Sequence, residues 1–238
     1  MPLSQEPFNA EDDSGFSAGD DVKWMSERHV ACVFLLDTSG SMSGTPINEL
    51  NKGIAAFKDQ TLNKAGFDEH TKACIDVAFV TFNSDVEIVQ DFVPVERMEV
   101  PTLRANGMTC MGKALDLAMD MVTERKRIYR ELGTPYYRPW IFCITDGGPN
   151  DDYLGAVQRL KEMERNNGVL GYCVGVTNFS KDLMTQIFEK GRIFELTDLD
   201  FTSLFQFLSN SLGAIRNSDP AAGNEIDVPK PENLRLSF

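Results

Sequence analysis

Two apolar runs in this chain each end in a carboxylate: VACVFLL stops at Asp37, and WIFCIT stops at Asp146. After the first, hydroxyls alternate in the pattern Asp37-x-Ser39-x-Ser41, inside a loop tightened by Gly40 and Gly44. Alternation in a tight turn aims Ser39 and Ser41 at one point beside Asp37. Carboxylate and hydroxyl oxygens are hard donors, which suit Mg²⁺, Mn²⁺ or Ca²⁺ rather than zinc. A third stretch, GMTCMGKA at residues 107–114, carries Thr109. It also spells the G-x-x-x-x-G-K of a phosphate-binding loop. However, Ala114 stands where that motif has the Ser or Thr that holds Mg²⁺, and the preceding VPTLRAN forms no clear buried strand. The Thr109 hydroxyl can instead approach the Asp37 point from a third side.

Such convergence needs a scaffold, and the hydrophobic pattern supplies one. HVACVFLL, PWIFCIT and VLGYCVGV are apolar without alternation, the signature of strands buried on both faces of a parallel sheet. Between them lie stretches with apolar residues at steps of three and four. These are Ile47, Leu50, Ile54 and Phe57 after Pro46; Leu115, Ala118, Met121 and Val122 after Met111; and Leu154, Val157, Leu160 and Met163. A shorter helix is expected around Leu183–Phe188, a brief strand at RIFEL, and a last helix carrying Phe201, Leu204, Phe205, Leu208 and Leu212. CIDVAFVTFN and DVEIVQDF, joined at Asn83 and Ser84, read as a hairpin that adds one antiparallel edge strand. The expected fold is α/β: a doubly wound three-layer sandwich with a mainly parallel six-stranded sheet. In such folds ligands sit beyond the carboxyl ends of the strands, which is where Asp37 and Asp146 fall. Residues 28–215 account for one domain, preceded by an acidic arm (1–27) and followed by a Pro-, Asn- and Gly-rich tail (216–238).

Taken one at a time, the first loop also reads as a Ser/Gly turn and Asp146 as a helix cap. Asp151 and Asp152 are expected to be helix-capping acids. Cys110 adjoins Thr109, but nothing nearby clearly lowers its pKa as a redox switch requires. The alternative to binding is a metal-assisted phosphohydrolase with an Asp after the first strand. That chemistry needs a second Asp two residues on, where this chain has Ser39. The histidines, His29 and His70, both precede strands, roughly 25 Å from the strand ends for an eight-residue strand, so neither is placed as a general base. A nucleophilic serine in G-x-S-x-G fails because Met42 is central in Gly40–Gly44.

Asp37-Thr-Ser39-Gly-Ser41, Thr109 with GKALDLA after it, and TDGGP at 145–149 resemble the three parts of the metal-ion-dependent adhesion site (MIDAS) of von Willebrand factor type A (VWA) domains. The order of elements resembles that family over about residues 29–214. Within it, LLDTSGSM, the Pro46-Ile47 helix opening and RPWIFCITDGGPNDD are similar to bacterial tellurium-resistance TerY-like proteins. The resemblance implies that Ser39 and Ser41 ligate Mg²⁺ (Mn²⁺ or Ca²⁺ also fit) directly. Thr109 would do so directly or through water, and Asp37 and Asp146 mostly through water or hydrogen bonds. It implies a protein-interaction module without chemistry of its own, completed by a Glu or Asp carboxylate from a partner protein. It further implies a stress-response setting with protein kinases or phosphatases as partners.

Composition narrows the partners. The chain has 23 Lys and Arg against 36 Asp and Glu, a net charge of −13, which opposes binding to nucleic-acid phosphate. It also favours a partner with a basic or neutral face and one protruding acid. No apolar run approaches the roughly 20 residues of a membrane span. No secretory signal is visible at the N-terminus, so a cytoplasmic location is expected. The five cysteines lie at least 30 residues apart without a CxxC pair, which argues against disulfides and zinc. Residues 125–140, RKRIYRELGTPYYRPW, gather cations and aromatics. They read either as a second contact surface or as a helix end followed by a packed loop, and the latter is favoured.

Overall fold

The computed structural model describes residues 25–63, 68–176, 179–216 and 234–236. Most of the acidic arm and most of the tail lie outside them. The elements are β1 (Val30–Asp37), α1 (Thr45–Asn63), α2 (Glu69–Ala73), β2 (Ile75–Phe82), β3 (Val86–Pro94), α3 (Met111–Leu132), β4 (Trp140–Thr145), α4 (Leu154–Arg165), β5 (Leu170–Val176), α5 (Lys181–Ile187), β6 (Ile193–Leu196), α6 (Phe201–Arg216) and β7 (Leu234–Leu236).

The sheet order is β3-β2-β1-β4-β5-β6-β7. Strands β2, β1, β4, β5 and β6 are parallel, and β3 runs antiparallel to β2 as the hairpin pattern requires. A seventh strand, β7, pairs antiparallel with β6. It lies in the segment read from sequence as an aperiodic tail. Three residues are too few to show alternation, and pairing with the edge of β6 is a tertiary event. Short elements also escape the pattern: α2, whose Asp68 accepts from the Thr71 amide at 2.8 Å, and 3₁₀ turns at Gly40–Met42, Val95–Arg97 and Lys190–Arg192.

All eight residues of β1, all eight of β2 and all six of β4 are buried. Their side chains divide between two cores. On one face Cys32, Phe34 and Leu36 pack with Leu50, Ile54 and Phe57 of α1 and Leu204, Phe205 and Leu208 of α6. On the other, Val33 and Leu35 meet α3, α4 and α5. Phe34 sits 5.5–5.8 Å, ring to ring, from Phe57, Phe79, Phe142 and Phe205, which locks α1 and α6 onto three strands. Helices α1 and α6 meet closely because position 53 is glycine: a Cβ there would lie 2.5 Å from that of Phe201.

At the amino edge of the sheet, Asp76 of β2 is fully buried, a charge inside a strand that its apolar neighbours did not lead us to single out. Its Oδ2 receives His29 Nδ1 and Arg125 Nη2, each at 3.0 Å, and the Tyr129 hydroxyl. Burial disfavours the Asp76 charge, but His29, Arg125 and Tyr129 outweigh it and hold the carboxyl below its usual range. Burial also opposes a charged His29, yet bonding to Asp76 and Cys74 lifts its pKa to about 10. The cluster accounts for Arg125. Three of the other four cations of residues 125–138 are similarly engaged: Lys126 on the Gly168 carbonyl, Arg127 on Glu124 and Glu131, Arg138 on Asn167. Tyr129 and Trp140 are buried. This stretch packs the fold together, and Arg130 alone of its cations is exposed without such a bond among the described residues.

Replacing Asp76 by Asn would leave the Arg125 and His29 charges buried without a carboxylate, at a cost of about 3–5 kcal/mol in denaturant unfolding. His29 has its folded pKa above its ordinary 6.5, so the stability it adds is complete below that pH and lost as pH rises through about 10. Unfolding free energies of wild type and His29→Gln should therefore differ at about pH 6 and converge above about pH 10. A gap independent of pH would show that His29 acts by packing alone.

Candidate metal centre

Chain order places the first and third loops side by side. After β1 the chain turns outward to β2 and β3, then crosses to begin β4 on the other side of β1. Strands β1 and β4 are therefore adjacent and parallel, with Leu36 opposite Ile144, but are followed by helices on opposite faces. This is the switch point of a doubly wound sheet, where a crevice opens beyond the strand ends.

Four of the five residues expected from sequence meet there through direct hydrogen bonds. Asp37 Oδ1 accepts the Ser39 amide at 2.8 Å. Ser39 Oγ lies 3.0 Å from Ser41 Oγ, and Ser41 Oγ donates to Asp146 Oδ1 at 2.7 Å. The fifth, Thr109, is buried at 6 % exposure, and its hydroxyl makes no hydrogen bond to these four or to any other described residue. Its loop is nonetheless tied to both others: Gly40 N–H to the Gly107 carbonyl at 3.0 Å, Asn106 N–H to the Thr38 carbonyl at 2.8 Å, and Asn150 N–H to the Thr109 carbonyl at 2.8 Å.

The electrostatics are unusual for a protein interior. Asp37 is fully buried and lies close enough to Asp146 to feel its charge. Burial raises its carboxyl pKa and the Asp146 charge adds to the rise, while hydrogen bonds from Ser39 and Thr145 oppose it. Among the described residues no Lys, Arg or His pairs with either carboxylate. Nor does any group of three or more His, Cys, Asp and Glu side chains converge among them. The donor set at this edge is two carboxylates and several hydroxyls.

Thr145, Asn83 and Ser84 were not singled out from sequence as contributors. Thr145, the last residue of β4, donates its hydroxyl to Asp37 Oδ2 at 2.6 Å, so both oxygens of Asp37 are occupied by protein donors. Its signal was present, as the Thr of TDGGP. Asp151 is a helix cap as expected, but not of the helix that follows it: its two oxygens take the Gly112 and Lys113 amides at 3.0 and 2.9 Å, closing the amino end of α3. Asp152 accepts from Leu154 N–H at 3.4 Å, at the start of α4. Asn83 and Ser84 of the hairpin turn bond to the Thr109 loop, and no local pattern announces a contact 24 residues away. Cys110, half-buried, directs its thiol to the Ser84 carbonyl. The cysteines are all free and the other four are buried.

The von Willebrand factor type A domain profile matches residues 32–208. Among curated proteins none matches the sequence. Among solved structures, the pilus adhesin SpaC of Lactobacillus rhamnosus GG superposes with a TM-score of 0.62 at 12% identity, covering 79% of this chain and 31% of that one. Proximal thread matrix protein 1 of the mussel byssus, in a form with a zinc-occupied MIDAS motif, gives 0.54 at 19% identity, covering 80% of this chain and 46% of that one. The vWF domain of the type V pili tip protein Mfa5 of Porphyromonas gingivalis gives 0.55 at 12% identity over 81% of this chain and 98% of that domain. At such identities the likeness is one of fold, and this chain spans less than half the length of the first two. The profile match extends from the middle of β1 into α6, well over half of the sequence, and by it the chain belongs to the von Willebrand factor type A domain family.

Proposed function

We propose that this VWA domain is a metal-dependent protein-interaction module. One observation carries the reading: a fully buried carboxylate, Asp37, beside a second carboxylate, with no protein cation paired to either among the described residues. An interior seldom holds charge without a counter-charge, and a divalent cation answers the deficit. The donors fit a small, hard ion. Ser39 Oγ, Ser41 Oγ and the carboxylates are hard oxygen donors, and the two hydroxyls lie within 3.0 Å of each other. The zinc-occupied MIDAS motif of the byssus protein supports occupancy of this kind of site by a divalent ion.

In this reading Ser39, Ser41 and Thr109 hold the ion, while Asp37 and Asp146 act through hydrogen bonds and water. Asp37 already spends both oxygens on Ser39 and Thr145, which suits an indirect role. With few anionic ligands in direct contact, the bound ion retains affinity for a Glu or Asp carboxylate on a partner protein. Names such as pilus adhesin and matrix protein among the structural relatives support adhesion-type binding over catalysis. The motifs that resemble TerY-like proteins support a cytoplasmic, stress-linked setting with a protein kinase or phosphatase as partner. Among the described residues no helix is long and apolar enough to cross a membrane.

Thermal melts in chelator and in Mg²⁺ or Mn²⁺ test the metal. A cation at one hundred times its Kd should add about 2.7 kcal/mol, and Ser41→Ala should lose most of that gain. Should neither ion add stability or produce heat on titration, the reading fails. Asp37→Asn gives a sharper sign. Removing an uncompensated buried charge should leave the chelator-treated protein as stable as wild type or up to about 1 kcal/mol more so, while abolishing the response to metal. For the partner, capture from lysate with and without chelator is decisive: proteins retained equally by Ser41→Ala in chelator would exclude metal-bridged recognition.

A further inference from the structure

The turn between β2 and β3 contains no residue of the centre, yet it is bonded to both sides of it. A two-strand turn needs to satisfy only itself. This one does so with Asn83 N–H to the Asp85 carbonyl at 2.9 Å and Asp85 N–H to Asn83 Oδ1 at 3.0 Å. Its remaining polar groups go elsewhere. Ser84 Oγ accepts the Met108 amide at 3.0 Å, the Asn83 carbonyl accepts the Cys110 amide at 2.8 Å, and the Ser84 carbonyl accepts the Cys110 thiol at 3.2 Å. The residues immediately before and after Thr109 are thus both fastened to the turn. Gly107, at φ +73°, fits so closely over Ser84 that a Cβ there would lie 2.5 Å from Ser84 Oγ. In the other direction, Asn83 Nδ2 donates to Thr38 Oγ1 at 3.2 Å, between Asp37 and Ser39.

We propose that Ser84 and Asn83 are positioning residues of the metal centre, setting the separation between Thr109 and the Ser39–Ser41 pair. The proposal rests on the metal reading above. Residues 101–110 have no helix or strand of their own, and Met108 is 57 % exposed. Without the turn, the Thr109 loop would hold its hydroxyl in place only through its bonds to Gly40, Thr38 and Asn150. A ligand that must be immobilised on binding costs affinity, and residues that orient a ligating group typically account for 10–100-fold in metal affinity. By linkage the dependence runs both ways, so a cation bound through Thr109 also steadies the hairpin turn.

Ser84 is exposed, so Ser84→Ala removes the acceptor without opening the core. We expect its melting temperature in chelator to stay within about 2 °C of wild type and its Mn²⁺ affinity by calorimetry to fall about 10-fold. The same substitution made in a Thr109→Ala background should cause no further loss, because its effect passes through Thr109. In wild type, Mg²⁺ should slow hydrogen exchange at the Met108 and Cys110 amides. Mn²⁺ binding by Ser84→Ala within twofold of wild type would overturn the proposal, as would an equal loss on both backgrounds. A wild-type protein that takes up no Mn²⁺ is a different result, refuting the metal reading itself.

Discussion

The constraint behind this structure is a pair of carboxylates brought to one edge of a sheet with no cation among the described residues to balance them. Asp37 is fully enclosed and repelled by Asp146, and its two oxygens are held by the Ser39 amide and the Thr145 hydroxyl. Hydrogen bonds of that kind lower the cost of a buried anion without removing it. The loops around it supply hydroxyls rather than Lys or Arg. That is the feature on which the proposed cation site rests.

The opposite edge of the same sheet makes the comparison instructive. Asp76 is as deeply buried as Asp37, and it sits on the neighbouring strand. There the protein provides its own counter-charges, His29 and Arg125, with Tyr129 as a further donor. One carboxyl is held below its ordinary range and the other is pushed above it. A closed ion cluster stitches the start of β1 to β2 and α3 at the amino edge, whereas at the carboxyl edge no described cation faces Asp37 or Asp146.

Fold and centre share a cause in the chain's path. Reversal of winding direction between β1 and β4 makes the crevice, and the fully buried strands make its floor rigid. The aromatic cluster around Phe34 holds α1 and α6 to that floor from one side, and the apolar faces of α3, α4 and α5 hold it from the other. Loops tied to such a frame by backbone hydrogen bonds can keep hydroxyls in place without secondary structure of their own. Likeness to adhesins and a matrix protein at 12–19% identity shows how little of the sequence that frame demands.

Much of this was legible residue by residue. Unalternated apolar runs announced strands buried on both faces, steps of three and four announced the helices, and Asp37-x-Ser39-x-Ser41 with Asp146 announced an oxygen-rich point, because each is a local pattern with a local physical cause. What stayed hidden depends on partners distant in the chain. The pairing of β7 with β6, the closing of α3 by Asp151 rather than by its own neighbours, the cations gathered on Asp76, and the grip of Ser84 on the Thr109 loop all join residues from 24 to 53 positions apart. The sequence by itself determined which side chains could form a cation site and on which edge of the sheet they would fall. Only the tertiary structure decided that one buried aspartate would be given protein counter-charges and the other none among the described residues, since charge balance inside a protein is a property of what packs against a group, not of what precedes and follows it.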